Sequence, residues 1–353
     1  MKKICIITMG NIYLVPYLQT YLSQINHPVS IIYWDRANLN ETYKDNDIYR
    51  FQHKFETKTD KILGYCRYRK FIKKILLDQE FDVVILLQTL SALLLHDILL
   101  KKFKHQFIVD IRDYTYEDNK IIFAIEKKLL SNSAMNIVSS EGFLKFLPKD
   151  IDYEIAHNIR KWPNEALERI KNRKKNKSKL HIVFVGYVNY QEQHKKLLLK
   201  LKNDSRFEIS FIGTRAQELE DFCEENQIEN VRLIGTFQSE DTLKFYEDAD
   251  FVNNLYGNNT PVLDYALSNK LYYAAILNIP ILVCENTFME EISNTYNFGI
   301  TVDLDLEENL GDFLFLKYSE IDWNNLSNGC ESFLKEVNKQ QNRFERNLSR
   351  LLN

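Results

Sequence analysis

Three short segments hold side chains whose types and spacing could do chemistry. Ser268-Asn269-Lys270 follows a short Asn-rich apolar run, residues 251–254, that ends at Asn254, and it opens a helical pattern over 269–277. Unpaired N–H groups at a helix start, with a Lys in the first turn, form a site for an anion. A first-turn Lys opposes the helix dipole, which favours a functional role; an ordinary capped helix with a solvated Lys is the competing reading. Asp110-Ile111-Arg112-Asp113 ends a predicted strand and sets an Arg between carboxylates. Asp113 is the candidate general base or acceptor-hydroxyl ligand. Arg112 either pairs with Asp110 or meets a phosphate, and a purely structural Asp–Arg pair competes with both. Gly10-Asn11 follows the first strand, where a backbone without Cβ admits a ligand. The segment is no GxGxxG, so a dinucleotide role is disfavoured. Gly186 ends another strand as a tight turn, and His157-Asn158 lies near the middle of the chain. A plain strand-end Gly and a buried core His compete at these two places.

The elements that must position these groups repeat one scheme. Strands are predicted at Ile4–Thr8, Val29–Tyr33, Val83–Leu87, Phe107–Ile111 and Asn136–Ser139, with helices near 13–25, 61–78, 91–103, 119–131 and 141–147. A second series of strands runs His181–Val185, Phe207–Ile212, Val231–Leu233, Phe251–Asn253, Ile281–Val283 and Gly299–Val302, with helices near 190–202, 215–226, 239–247, 262–277 and 287–295. Continuous Val/Ile/Leu runs alternating with helices indicate parallel sheets covered on both faces. The fold class is therefore α/β: two doubly wound, Rossmann-like domains facing a cleft, with a helical tail. Ligands of such sheets bind outside the carboxyl ends of the strands. The expected limits are 1–159 for the first domain, 160–179 for a polar, basic linker, 180–330 for the second domain, and 331–353 for a terminal helix free to return to the first.

Composition excludes several classes. The 353 residues are 45% hydrophobic and 27% charged, enough for two cores and too apolar for disorder. Five cysteines are widely spaced without a CxxC pair, which argues against a zinc or disulfide framework. The start MKKICIITMGNIY holds an apolar run too short for a signal peptide and reads as a buried strand. No apolar stretch approaches the ~18–20 residues that span a bilayer, so a soluble, cytoplasmic protein is expected. Net charge is −3, but it divides into +4 over residues 1–160, +6 over 161–180 and −13 over 181–353. The basic stretches carry no nucleic-acid motif and the back half is acidic, which disfavours a nucleic-acid partner.

Residues 251–302 read FVNNLYGNNTPVLDYALSNKLYYAAILNIPILVCENTFMEEISNTYNFGITV. The segment resembles the donor-domain signature of group 1, family 4-like glycosyltransferases of bacterial capsule and surface polysaccharide synthesis. The match rests on Ser268, Asn269, Lys270 and Leu271, then Ile279-Pro280, then Glu290, Glu291 and Ile292, then Phe298, Gly299 and Ile300. VDIRDYTYED (109–118), IAHNI (155–159) and IVFVGYVNY (182–190) are similar to further family segments in the same order.

The resemblance implies GT-B architecture, a nucleotide-sugar donor such as a UDP-sugar, and retention of anomeric configuration, while the absent Glu at Tyr273 and the available Asp113 leave inversion by a general base open. The first domain would take the acceptor and the second the donor. Lys270 would neutralise the departing diphosphate as the glycosidic bond breaks. Donor contacts are expected from Gly10, Asn11, His157, Asn158, Gly186, Tyr187, Asn189, Asn254, Ser268, Asn269, Lys270, Tyr273 and Glu291. Two departures stand out. The family's ribose-binding Glu is replaced by Tyr273, so either the ribose is held differently or Glu290 or Glu291 reaches it. The family's Arg after the strand-end glycine is missing at Asn189, so either Lys195 or Lys196 supplies the charge, or phosphate binding rests on Lys270 and backbone groups alone.

RYRKFIKKILL (67–77) and KKFKH (101–105) interleave cations with apolar residues. Such stretches suit an anionic membrane surface, at about 1 kcal/mol per cation, and a lipid-linked glycan acceptor; a solvated helix face is the alternative. No DxD pair ends a donor-domain strand: DAD (248–250) precedes one and DLD (303–305) follows the last. No cofactor or catalytic metal is expected, with cations and helix dipoles acting at the diphosphate. The alternatives are a catalytically silent GT-B partner subunit and a nucleotide-sugar epimerase.

Overall fold

The computed structural model describes residues 1–43, 45–160, 162–171 and 178–353, without the side chains of residues 164 and 166. Residues 161 and 172–177 of the expected linker lie outside the described residues. The chain forms two compact units, Met1–His157 with Lys339–Asn353, and Asn158–Asn338.

In the first unit the elements are β1 (Ile4–Thr8), α1 (Leu18–Leu22), β2 (Ser30–Asp35), β3 (Asp47–Gln52), α2 (Lys58–Asp78), β4 (Val83–Leu87), α3 (Thr89–Lys102), β5 (Phe107–Ile111), α4 (Lys120–Leu130), β6 (Met135–Val138) and β7 (Glu154–Ile155). The strands form one parallel sheet in the order β3-β2-β1-β4-β5-β6-β7. Every residue of β1, β4 and β5 is buried, as expected for strands covered by helices on both faces.

The second unit holds α5 (Asn164–Lys171), β8 (Leu180–Val185), α6 (Gln191–Lys200), β9 (Phe207–Ile212), α7 (Glu220–Glu225), β10 (Val231–Ile234), β11 (Phe251–Asn254), α8 (Pro261–Tyr265), α9 (Asn269–Leu277), β12 (Ile281–Cys284), α10 (Phe288–Thr295), β13 (Gly299–Val302), α11 (Leu310–Ser319) and the start of α12 (Trp323–Leu352). Its parallel sheet runs β10-β9-β8-β11-β12-β13. Alternate residues of β8 feed opposite cores: Val183 and Val185 pack with α9 and α12, Ile182 and Phe184 with α6 and α11. From Lys339 onward α12 belongs to the first unit, where Phe344, Leu348 and Leu352 enter the core.

Some expected elements differ. The helix near 13–25 is a 3-10 turn, Ile12–Leu14, followed by α1, because Pro16 cannot donate into a continuous helix. The stretches near 141–147 and 239–247 are 3-10 turns, and 215–226 starts as one before α7. The pattern near 262–277 splits into α8 and α9, with Ala266 and Ser268 extended. The Ser268 hydroxyl accepts the Lys270 N–H, a local bond that starts α9 afresh. Strands β3 and β7 carry too little apolar patterning to be expected, β3 being half-exposed and β7 two residues long, and helix α5, with four charged residues of eight, falls within the expected linker.

Candidate functional site

The strand order of the second unit reverses between β8 and β11, the place where doubly wound sheets open a crevice beyond their carboxyl ends. A cavity of about 270 Å³ lies there. Tyr187, Asn189 and Tyr190 enter it after β8, and Asn254, Tyr256 and Gly257 from the end of β11. Cys284 and Thr287 follow from the end of β12, and Ser268 caps α9. Val262, Leu263, Ala266 and Met289 complete the wall. Ser268 and Thr287 are the capping residues of α9 and α10, so the positive ends of two helices meet the cavity.

Lys270 lies under this cavity rather than in it. The residue is 4% exposed, and its ammonium donates to the Tyr256 phenol at 2.6 Å. The same ammonium sits 4.0 Å from the Phe184 ring centre and 4.8 Å from that of Tyr256, within cation–π reach. Burial without a carboxylate partner pulls the amine down to about 7. The solvated-Lys alternative is thereby excluded. His194 on α6 packs edge-on against Phe184 and against Phe211. Burial, then Lys270, holds its imidazole near 3, opposed by a backbone hydrogen bond at Asn189. It is therefore neutral at physiological pH.

Gly186 covers the ammonium. Its φ of +138° is one that side chains rarely adopt, and an added Cβ would meet only the Lys270 Nζ, at 3.5 Å. Gly213, which ends β9 and was not singled out from the sequence, supports it from behind. Its φ is +135°, and an added Cβ would lie 1.9 Å from the Gly186 carbonyl oxygen.

Asn254 is 5% exposed, and its carboxamide makes no hydrogen bond among the described residues. The atom without a partner is Oδ1, which is sealed within the protein, so its unmet acceptor is a cost to the fold and not a contact open to the cavity. The neighbouring polar atoms are already engaged. Cys284 Sγ accepts from the Gly257 N–H, and Thr287 donates to the Cys284 carbonyl and accepts from the Glu290 N–H.

Other expected donor residues stand elsewhere. Asn269 is exposed on the first turn of α9 and does not line the cavity. Tyr273 packs on Trp162 and Tyr246. Glu291, expected to reach a ribose, is exposed on α10 outside the lining, and Glu290 is held by the Asn286 N–H and the Thr301 hydroxyl. Lys195 pairs with Glu192 and Lys196 with Asp305, so neither replaces the missing Arg. The cation that does lie beside Asn189 is Arg215, after β9, which donates to Asn189 Oδ1 at 3.0 Å, lies over Tyr187 and is itself paired with Glu218. No linear motif marks it, because only the β8–β9 pairing brings 215 beside 189.

In the first unit Gly10 faces open space at the end of β1. Asn11 is 2% exposed and spends its carboxamide within the unit, donating to Asp35 and Glu41 and accepting from the Arg36 and Ala37 N–H groups. It clamps a loop instead of reaching a donor. His157 is tied to α12 through Gln340 and Gln341, and half-buried Asn158 lies outside the cavity lining. Arg112 pairs with buried Asp110 at 2.6 Å, donates to the Ala156 carbonyl and lies over Tyr17, so of its two expected roles the structural pair is the one seen. Asp113 is exposed, and partial desolvation, opposed by Arg112, holds its carboxyl above the ordinary range.

Among the described residues no group of three or more His, Cys, Asp or Glu is arranged to hold a metal, and no helix is long and apolar enough to cross a membrane.

No family model and no curated protein sequence matches the chain. Solved structures do. Sucrose-phosphate synthase from Thermosynechococcus elongatus is similar at a TM-score of 0.72 and 13% identity, covering 99% of each chain. Anabaena HepE, solved with UDP and glucose, gives 0.65 at 10% identity, covering 99% of this chain and 100% of that one. WaaG, a glycosyltransferase involved in lipopolysaccharide biosynthesis, gives 0.60 at 11%, covering 99% and 95%. At these identities the likeness is one of fold, and the fold is GT-B.

Proposed function

We propose that the protein is a glycosyltransferase that takes a sugar from a UDP-sugar, binding its donor in the second unit at the end of β8 and β11. One observation carries this reading: the starts of α9 and α10 meet at a cavity lined by Tyr256, whose phenol accepts from the buried Lys270 ammonium. Backbone N–H groups, two helix dipoles and a desolvated cation suit a diphosphate, and their effect grows as charge develops on the leaving group. The GT-B fold, shared with HepE solved with UDP, supports the same donor class.

The finer reading is metal-independent transfer, with Lys270, Arg215 and the helix starts acting where other enzymes use a divalent cation. The first unit takes the acceptor, with Asp113 its proposed base or hydroxyl ligand. The resemblance of residues 251–302 to group 1 enzymes supports retention and a glycan or lipid-linked acceptor of surface polysaccharide synthesis. Exposed Arg67, Lys70 and Lys74 on α2, beside exposed Ile62 and Leu63, support peripheral contact with an anionic membrane on its cytoplasmic side.

The test is incubation with UDP-sugars without acceptor, following slow release of UDP. Release that Lys270→Met abolishes supports transfer. A new sugar nucleotide would identify an epimerase. Binding with no release would identify a silent GT-B subunit, a reading that Tyr273, packed on Trp162 where the family has a carboxylate, favours to a degree.

A further inference from the structure

Helix α4 carries a carboxylic acid that the donor site does not use. Glu126 is 2% exposed, and neither of its carboxyl oxygens has a hydrogen-bond partner among the described residues. A buried charge without a partner is among the costliest groups a fold can hold. The charged group that acts on Glu126 is a second acid, Glu117, 9% exposed in the loop between β5 and α4. Glu117 Oε2 accepts from the Thr115 and Tyr116 N–H groups, and its Oε1 is buried without a partner. Among the described residues no cation pairs with either acid. On α4 itself Lys127 pairs with Asp150 and Lys128 is exposed. On α3, which packs against α4, His96 engages the Leu93 carbonyl and Asp97 pairs with Arg69 and Lys73. Tyr153 donates to the Pro148 carbonyl, and burial and Glu126 push its phenol up, so it is neutral. Asp118 acts on Glu117 with the same sign as Glu126.

Two acids buried together cannot both ionise, and the donors around them decide which keeps its charge. Burial raises the pKa of Glu117, but its two N–H bonds oppose that and favour its carboxylate. Glu126 receives no such bond, so Glu126 keeps the proton. Burial first, and Glu117 second, raise its pKa to about 8. As an acid it has an O–H to give, and the buried acceptor left open on its charged neighbour is Glu117 Oε1.

We infer that Glu126 is a positioning residue: as a neutral acid it gives its O–H to Glu117, which holds the loop that carries Asp113. The inference rests on the acceptor role proposed for Asp113, which lies in that loop before Glu117. Ionisation of Glu126 sets two like charges in one buried place, and Glu117 must turn to water, releasing the Thr115 and Tyr116 N–H groups. The closed loop holds the extra proton, so rising pH favours the open one.

The experiment is amide hydrogen exchange of the whole chain, read at Thr115 and Tyr116 at about pH 6 and about pH 9 and corrected for the intrinsic effect of pH on exchange. In the wild type, protection is expected to fall about tenfold, the effect of roughly one unit of pKa difference between the closed and the open loop. Glu126→Gln, a neutral donor, is expected to hold protection constant. Glu126→Leu, neutral without a donor, is expected to lower it at both pH values. Wild-type protection that ignores pH overturns the inference. A fall that persists in Glu126→Gln overturns it equally, as does full protection in Glu126→Leu. The wild-type profile and Glu126→Leu decide if Glu126→Gln does not fold. Exchange reads the loop and not the chemistry: an Asp113→Asn protein that retains transfer would remove the acceptor role of Asp113 and leave the coupling of Glu126 to Glu117 standing.

Discussion

The Lys270 ammonium and the Tyr256 phenol stand 2.6 Å apart in the second unit, a buried cation resting on a neutral donor–acceptor instead of a carboxylate. The phenol's burial raises its own pKa, so Tyr256 stays protonated and gives Lys270 no countercharge. An arriving phosphate would supply the missing negative charge.

Proton uptake on donor binding follows from that pair. The amine is pulled to about 7, so it is roughly half charged at neutral pH, and an anion nearby favours the charged form. UDP-glucose is the right probe because its diphosphate diester does not itself titrate near neutrality. Titration in two buffers of different ionisation heat should show about half a proton taken up at pH 7 and more at pH 8. Affinity should fall as pH rises above 7. A heat independent of buffer would refute a titrating Lys270.

Replacing the ammonium separates stability from activity. Lys270→Met keeps the length of the stem and removes a buried charge that has no ionic partner, so melting temperature at pH 6–7 should hold or rise. The sign follows from the lowered pKa. Between about 7 and the ordinary 10.5 the unfolded chain holds more protons, so the Lys270 contribution to stability rises with pH through that window, and Met should abolish this rise. Transfer should nonetheless drop on the order of 10²-fold, the scale of losing one charge stabiliser. Full activity in the Met variant would remove Lys270 from the chemistry.

Gly186 and Gly213 should fail differently. Gly213→Ala drives a Cβ to 1.9 Å from the Gly186 carbonyl, so the ends of β8 and β9 must separate, and a loss of a few kcal/mol is expected by denaturant unfolding. At Gly186 an added Cβ meets only Lys270 Nζ, at 3.5 Å. Its stability cost should be confined to the φ strain, about 1–3 kcal/mol, with a larger loss of UDP affinity. Equal stability losses in the two variants would contradict this assignment.

Asp110 and Asp113, three positions apart, should also separate. Asp110 is fully buried against Arg112 and accepts from the Tyr21 hydroxyl at 2.6 Å. Asp110→Asn leaves Arg112 buried beside a neutral group, which should cost about 3–5 kcal/mol of stability. Asp113 is exposed, so Asp113→Asn should fold normally, keep its nucleotide affinity and lose transfer. Weakened UDP binding by Asp113→Asn would move it to the donor.

Phe344 tests the return of the terminal helix to the first unit. It is fully buried, its ring 6.2 Å from that of Tyr21, and Phe344→Ala should cost about 3–5 kcal/mol. Little change in the denaturant midpoint would mean that Lys339–Asn353 adds nothing to that core.

The sequence by itself determined the two parallel sheets, because β1, β4, β5, β8 and β9 are apolar runs that make sense only when covered on both faces. It also determined that α9 starts at Asn269, since Ser268 is a local cap. Strands β3 and β7 stayed hidden because edge strands need no apolar run. What tertiary structure alone decided is which side chain meets which. Asn11, His157 and Arg112 have the polarity of ligand contacts, yet their partners are Asp35 and Glu41, Gln340 and Gln341, and Asp110. Gly213 and Arg215 lie far along the chain from the groups they serve, Gly186 and Asn189. Local pattern fixes an element, because the energies that form it act within a few residues. A buried polar group takes whatever partner the packing brings within about 3 Å, and no spacing along the chain records that choice.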